Sequence, residues 1–173
     1  METMKTTRFT RDDYMRLPEG FPAQLIEGEL IREPAPTYGH QRTVGKLYQA
    51  LCRIVQDDRR VVLSPIDVFI DRYNVLQPDL LVLSAPLDRD APEVGIPLVV
   101  FEVLSPSTAF RDRRQKRRLY LEAGVREVWI VDPVTESITI HTRDGRREFG
   151  PEETARSAVV ADLALEPVQV LRD

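Results

Sequence analysis

Three residues in the middle of the chain have types and spacing that could do chemistry. Asp79 lies in the run Gln77-Pro78-Asp79-Leu80-Leu81-Val82-Leu83, and Glu102 in Leu98-Val99-Val100-Phe101-Glu102-Val103-Leu104. Each run is apolar enough to be a buried strand. A carboxylate in such a strand is costly unless it is paired, hydrogen-bonded or bound to a cation, so two of them in consecutive strand-like segments point to a shared metal or proton site. Lys116 follows in a basic, helix-like segment after the second strand, where a cation could point back at the same place.

The elements that must position these groups can be read from the pattern. Thr10-Arg11-Asp12-Asp13 has capping-box spacing with Asp in place of Glu, and Pro18 and Gly20 stop the short helix it opens. Ala23 to Ile31, with Glu27-Gly28 between two apolar pairs, reads as a hairpin ended by Pro34 and Pro36. From Gly39 to Val55, Val44, Leu47, Leu51, Ile54 and Val55 recur at helical spacing and predict an amphipathic helix packed on a sheet. Arg60 to Ile70 and Val75 to Ser84 read as a strand pair joined through Asp71-Arg72-Tyr73-Asn74. After the Glu102 strand, Ser105-Pro106-Ser107-Thr108 can cap a helix over Ala109 to Ala123, which ends at Gly124 before the strand Glu127-Val128-Trp129-Ile130-Val131. A strand, helix, strand unit of this kind is normally parallel, so a mixed sheet covered by helices is expected. The tail offers the strand Ser137 to His141, a turn at Asp144-Gly145, and weaker strand candidates at Ala158 to Val160 and Val168 to Val170, expected to extend the sheet edge.

With 173 residues, 42% of them hydrophobic and 30% charged, the chain fits one α/β domain over residues 1–173, with 1–8 expected to be flexible. No apolar run approaches the ~20 residues of a membrane helix, and the first residues lack the apolar core of a secretory signal. The single cysteine, Cys52, excludes an internal disulfide framework and has no partner at zinc spacing, so a reducing cytoplasm is the expected compartment. A net charge of −4 argues against a protein that coats nucleic acid generally. It leaves room for a local basic patch such as Arg111, Arg113, Arg114, Lys116, Arg117 and Arg118, whose members either form a solvated helix face or contact phosphates beside the acids. No Gly-rich phosphate loop, zinc-finger spacing or Gly-x-Ser-x-Gly elbow is present.

Gln77-Pro78-Asp79, Phe101-Glu102-Val103-Leu104-Ser105-Pro106-Ser107-Thr108, Lys116 four before Tyr120, and Gly124-Val125-Arg126-Glu127-Val128-Trp129-Ile130-Val131-Asp132-Pro133 together resemble the Uma-two family of bacterial proteins, assigned to the PD-(D/E)XK, restriction-endonuclease-like superfamily. Leu25-Ile26-Glu27-Gly28-Glu29 and His40-Gln41 extend the likeness over nearly the whole chain. The resemblance implies a restriction-endonuclease-like fold and a metal-dependent endonuclease acting on nucleic acid, expected to be DNA. It casts Asp79 and Glu102 as ligands of Mg²⁺ or Mn²⁺, Glu27 as a third ligand, and Lys116 as the lysine. Hard divalent cations favour carboxylate oxygens and water, which agrees with that casting. The superfamily's usual lysine stands two residues after the second acid, where this chain has Leu104. Members of the superfamily relocate it onto the following helix.

Each assignment has a plain structural rival. Asp79 can simply open a strand, Glu27 can be a hairpin-turn residue, and Lys116 can pair with Asp112 on its own helix. His40, at the start of the long helix, is either a helix-entry residue or a proton shuttle, phosphate contact or support for a site group. At the level of function, a noncatalytic nucleic-acid-binding or regulatory module on the same fold is the alternative. A two-carboxylate glycosidase fits the basic context less well. Cutting both strands of a duplex is simplest with two sites, which raises a homodimer as an expectation.

Overall fold

The computed structural model describes residues 8–91, 93–105 and 110–172, with side chains placed for all of these except 110–113. Most of residues 1–8 and the capping segment 106–109 therefore lie outside the described residues. Arg8 itself is held, donating from Nε to the Glu27 carbonyl at 3.0 Å.

The short helix α1 (Arg11–Tyr14) starts at Thr10, whose hydroxyl and backbone exchange hydrogen bonds with Asp13 in the expected capping box. Strands β1 (Ala23–Ile26) and β2 (Glu29–Arg32) form the predicted hairpin. Its two turn residues, Glu27 and Gly28, both have positive φ (51° and 83°), as a tight right-twisted hairpin requires. At Gly28 a Cβ would also sit 2.7 Å from Cβ of Arg8, so glycine is needed there twice over. Helix α2 (Tyr38–Ile54) is capped by the Thr37 hydroxyl and buries Val44, Leu47 and Leu51.

The expected strand pair between residues 60 and 84 is instead four strands shared between two sheets. β3 (Val61–Leu63) and β6 (Leu80–Val82) pair in one, and β4 (Val68–Asp71) and β5 (Asn74–Leu76) form a hairpin in the other. Pro65 and Pro78 break the two arms at nearly the same level. Neither has an N–H to continue a ladder, and the Ser64 N–H closes the larger sheet by bonding the Asp79 carbonyl at 3.0 Å. Asp79 thus stands at the joint where the chain crosses from one sheet to the other.

β7 (Val99–Val103), α3 (Phe110–Ala123) and β8 (Glu127–Asp132) make the predicted parallel unit, in the register Glu102 to Ile130. β9 (Ser137–Thr142) and β10 (Gly145–Phe149) follow as an antiparallel hairpin. The larger sheet is mixed, in the order β10-β9-β8-β7-β6-β3, and the smaller is β2-β1-β5-β4. The tail departs from expectation. Residues 158–160 form no strand, because the Ser157 hydroxyl accepts the Val159 and Val160 N–H groups and Glu127 accepts that of Ala158. Val168 to Val170 lie in a helix, α4 (Pro167–Leu171), opened by a proline at its first turn. On either side of residues 158–160, β11 (Ala155–Arg156) and β12 (Ala164–Leu165) make a small separate ribbon.

Strand alternation divides the core. Val99, Phe101, Val103, Trp129 and Val131 face α2, with Phe101 and Trp129 in ring contact at 5.3 Å, while Val100 and Val128 face α3 beside Leu81 and Tyr120. Glu102 is in phase with Val100, which places it under α3. Truncating a fully buried side chain such as Leu47 is expected to destabilise by about 2–5 kcal/mol. No described helix is long and apolar enough to cross a membrane.

Candidate active site

A cavity of about 690 Å³ opens where the two sheets, the first turn of α2 and the middle of α3 meet. Its walls include Asp79, Glu102, Lys116 and His40, together with Gln24, Glu33 and Gln77. It lies by the C-terminal end of β7, the place where open α/β sheets leave strand ends uncovered.

The groups are tied together by direct contacts. Lys116 Nζ stands 2.7 Å from Glu102 Oε1 and also donates to the Gln77 carbonyl at 3.4 Å. Lys116 is only 9% exposed, so its helix turns it inward onto Glu102, as the site reading of the helix requires. The Tyr120 hydroxyl donates to the same Glu102 oxygen at 3.0 Å from one turn along α3. Asp79 Oδ2 accepts the Val103 N–H at 2.7 Å and lies 3.3 Å from His40 Nε2. The side chains of Asp79 and Glu102 keep 19% and 17% of their surface open, enough to meet a ligand in the cavity.

Burial pushes the Glu102 carboxyl up to about 7; Lys116 opposes that rise and the Asp79 charge adds to it. For Lys116, burial favours the neutral amine, but the Glu102 and Asp79 carboxylates outweigh it and hold the ammonium above its ordinary range. The two directions compete, since a strongly held ammonium needs an ionised Glu102. The rise of Glu102 prevails, because burial and a second carboxylate act together against one cation. The bond to Asp79 raises His40 above its ordinary value, against the effect of burial. Its Nδ1 is buried without a partner among the described residues.

Glu27 is not in this cavity. It occupies the hairpin turn, bonded to Arg118 and Gln115 of α3, and lines a second, more open cavity. Glu33, directly after β2, reaches the first cavity instead and accepts from Gln24 Nε2 at 2.7 Å. Gln24 in turn accepts the Gln77 N–H at 2.7 Å, and Gln77 Nε2 donates to Asp67 at 2.8 Å, where the Tyr14 hydroxyl also donates at 2.9 Å. This network fixes the Gln77-Pro78-Asp79 joint. Gln24, Glu33 and Asp67 escape sequence reading because the β1–β2 hairpin and the segment before β4 that contribute them meet only in the folded chain. The only local sign is Gln24, a polar residue inside an otherwise apolar strand.

The donor set can be compared with what a hard divalent cation takes. Mg²⁺ is commonly held by one or two carboxylates with water and substrate phosphate, and Asp79 and Glu102 supply that pair in kind. Among the described residues no group of three His, Cys, Asp or Glu side chains is gathered to hold a metal unaided.

A mixed sheet flanked by helices, with two acids and an inward lysine at its strand ends, defines a restriction-endonuclease-like α/β protein. The chain belongs to the Uma2 family, described as "Putative restriction endonuclease", whose model matches residues 11–169. Its fold is similar to the crystal structure of a putative nuclease belonging to DUF820 from Anabaena variabilis ATCC 29413. The TM-score is 0.82 at 19% sequence identity, over 94% of this chain and 97% of that one. No curated protein sequence matches this chain.

Proposed function

We propose that the protein is a divalent-cation-dependent endonuclease that hydrolyses phosphodiester bonds in DNA. The observation that carries this reading is the convergence of Asp79, Glu102 and Lys116, from the joint before β6, from β7 and from α3, on the wall of one cavity with Lys116 Nζ 2.7 Å from Glu102. Family membership and the fold support it. Asp79 and Glu102 would hold Mg²⁺ or Mn²⁺, which when bound supplies Lewis acidity and a more acidic water. Lys116 holds a positive charge where the phosphate gains negative charge and can orient the attacking water. His40 holds a proton at Nε2 against Asp79, keeping that carboxylate aimed at the cavity and giving a nearby group for proton transfer. Tyr120 fixes the Glu102 rotamer from below. For duplex cutting, two copies of the chain are the proposed assembly.

The limited donor set favours one second reading, a noncatalytic nucleic-acid-binding module on the same fold. The two separate in a cleavage assay on single-stranded and double-stranded DNA with Mg²⁺, Mn²⁺ or EDTA, run beside Glu102→Ala and Lys116→Ala. Metal-dependent nicking lost in Glu102→Ala supports the endonuclease. DNA binding without cleavage on any substrate, by folded protein, supports the module.

A further inference from the structure

The basic run of α3 is sorted by the fold. Lys116 turns inward to Glu102, and Arg118 pairs with Glu27 and Glu122. Arg117 has a different setting, because it stands in the walls of both cavities and so bridges the acid centre to the second, outer groove. Its Nη1 lies 3.5 Å from Nε2 of His141, which is buried at 8% exposure on β9. Across the β9–β10 ladder, His141 is the register partner of Arg146. The same row continues through Val128 to Val100, on the sheet face that carries Glu102.

We propose that Arg117, Arg146 and His141 form an anion subsite that takes a phosphate of the nucleic-acid strand a few nucleotides from the bond held at Asp79 and Glu102. The charged groups that shift Arg117 and His141 are cations. Burial, then Arg114, then Arg146 hold the Arg117 guanidinium below its ordinary value. Burial, then Arg117, then Arg146 hold His141 down to about 4, so its ring is neutral in the free protein. Among the described residues neither Arg117 nor Arg146 has a carboxylate within ion-pair distance. Crowded cations of this kind lower their energy by gaining an anion, and guanidinium matches phosphate geometry by paired donors. The strand carrying Arg146 is three strand spacings from β7, about 14 Å. That is roughly four residues of a nucleic-acid strand at ~3.4 Å each. The chain's overall acidity makes the placement informative, because the positive groups are concentrated beside the acid centre.

This inference rests on the nucleic-acid reading, and its test separates the two. A labelled single-stranded oligonucleotide is titrated in EDTA over a range of salt with wild type, Arg117→Gln, Arg117→Lys and the exposed-site variant Arg146→Gln, each checked for folding by circular dichroism. Each Gln variant is expected to bind about tenfold more weakly, with a salt slope shallower by about one, and Arg117→Lys to recover part of the loss. Inorganic phosphate is expected to move the His141 ring resonances in wild type but not in Arg146→Gln. Unchanged affinity and slope in both folded Gln variants would overturn the subsite, even if Mg²⁺-dependent cleavage is present. Weakened binding with no cleavage by wild type would keep the subsite and remove the endonuclease.

Discussion

Glu102 in β7 and Glu127 in β8 are carboxylates in adjacent parallel strands, and their surroundings differ in every respect that matters for chemistry. Glu127 is 0% exposed on the α2 face and is met by neutral donors only: the Trp129 indole at 2.9 Å, the Ser157 hydroxyl at 2.8 Å and the Ala158 N–H at 2.7 Å. Those bonds satisfy it and tie the chain after β11 onto the sheet. Glu102, on the opposite face, opens to a cavity beside a second carboxylate and is balanced by one lysine. A buried acid saturated by local donors has nothing left to offer a ligand, whereas one with surplus negative charge beside a cavity can gain from a cation. Burial alone therefore does not mark a functional acid; the kind of partner does.

The contrast is broken most severely by alanine at each position. Glu102→Ala is expected to lower cleavage by about 10³-fold in a steady-state assay, and its urea midpoint also falls because the buried Lys116 ammonium and the Tyr120 hydroxyl lose their acceptor. Glu127→Ala should leave the cleavage chemistry of the folded protein intact and act on stability alone: one buried and two part-buried donors lose their acceptor, costing on the order of 3–5 kcal/mol in urea unfolding. Comparable losses of activity from both substitutions at equal stability would erase the distinction. Lys116→Ala is expected to cost about 10²-fold in rate and to push the Glu102 ionisation, followed by carboxyl NMR, further upward.

A pH series sharpens the same comparison. Glu102 holds its proton in the folded state up to about 7, above its ordinary value, so between roughly pH 4.5 and 7 the folded protein binds more protons than the unfolded chain. Stability attributable to this group is greatest at low pH and falls across that window, by up to about 1.4 kcal/mol per pH unit, and Glu102→Gln should flatten the fall. Mg²⁺ should stabilise wild type above the Gln variant at neutral pH. The smallest effect belongs to His40. Its raised ionisation gives stability that is full below its unfolded value and lost as pH rises through the folded one, and NMR titration should return it toward the ordinary value in Asp79→Asn.

Much of the fold was legible because local signals agree with it. The Thr10 capping box, the Glu27-Gly28 turn, the apolar stripe of α2 and the parallel unit around α3 all follow from spacing and turn chemistry. The tail was misread where local bonding competes with pattern. Apolar Val168 and Val170 suit a strand, but Pro167 starts a helix, and the Ser157 hydroxyl captures the backbone that a strand at 158–160 would have used. The four strands between residues 61 and 82 are not legible locally, because sequence marks the two prolines but not that they fall side by side.

The sequence by itself determined which acids and which lysine were worth attention, since a carboxylate inside an apolar strand is anomalous wherever that strand packs. Only the tertiary structure decided which of them meet. Side-chain phase put Glu102 under α3 with Lys116, the proline joint carried Asp79 to the same cavity, and the hairpin turn left Glu27 with Arg118. Those choices depend on contacts between residues tens of positions apart, which fix distance and dielectric and have no trace in local spacing.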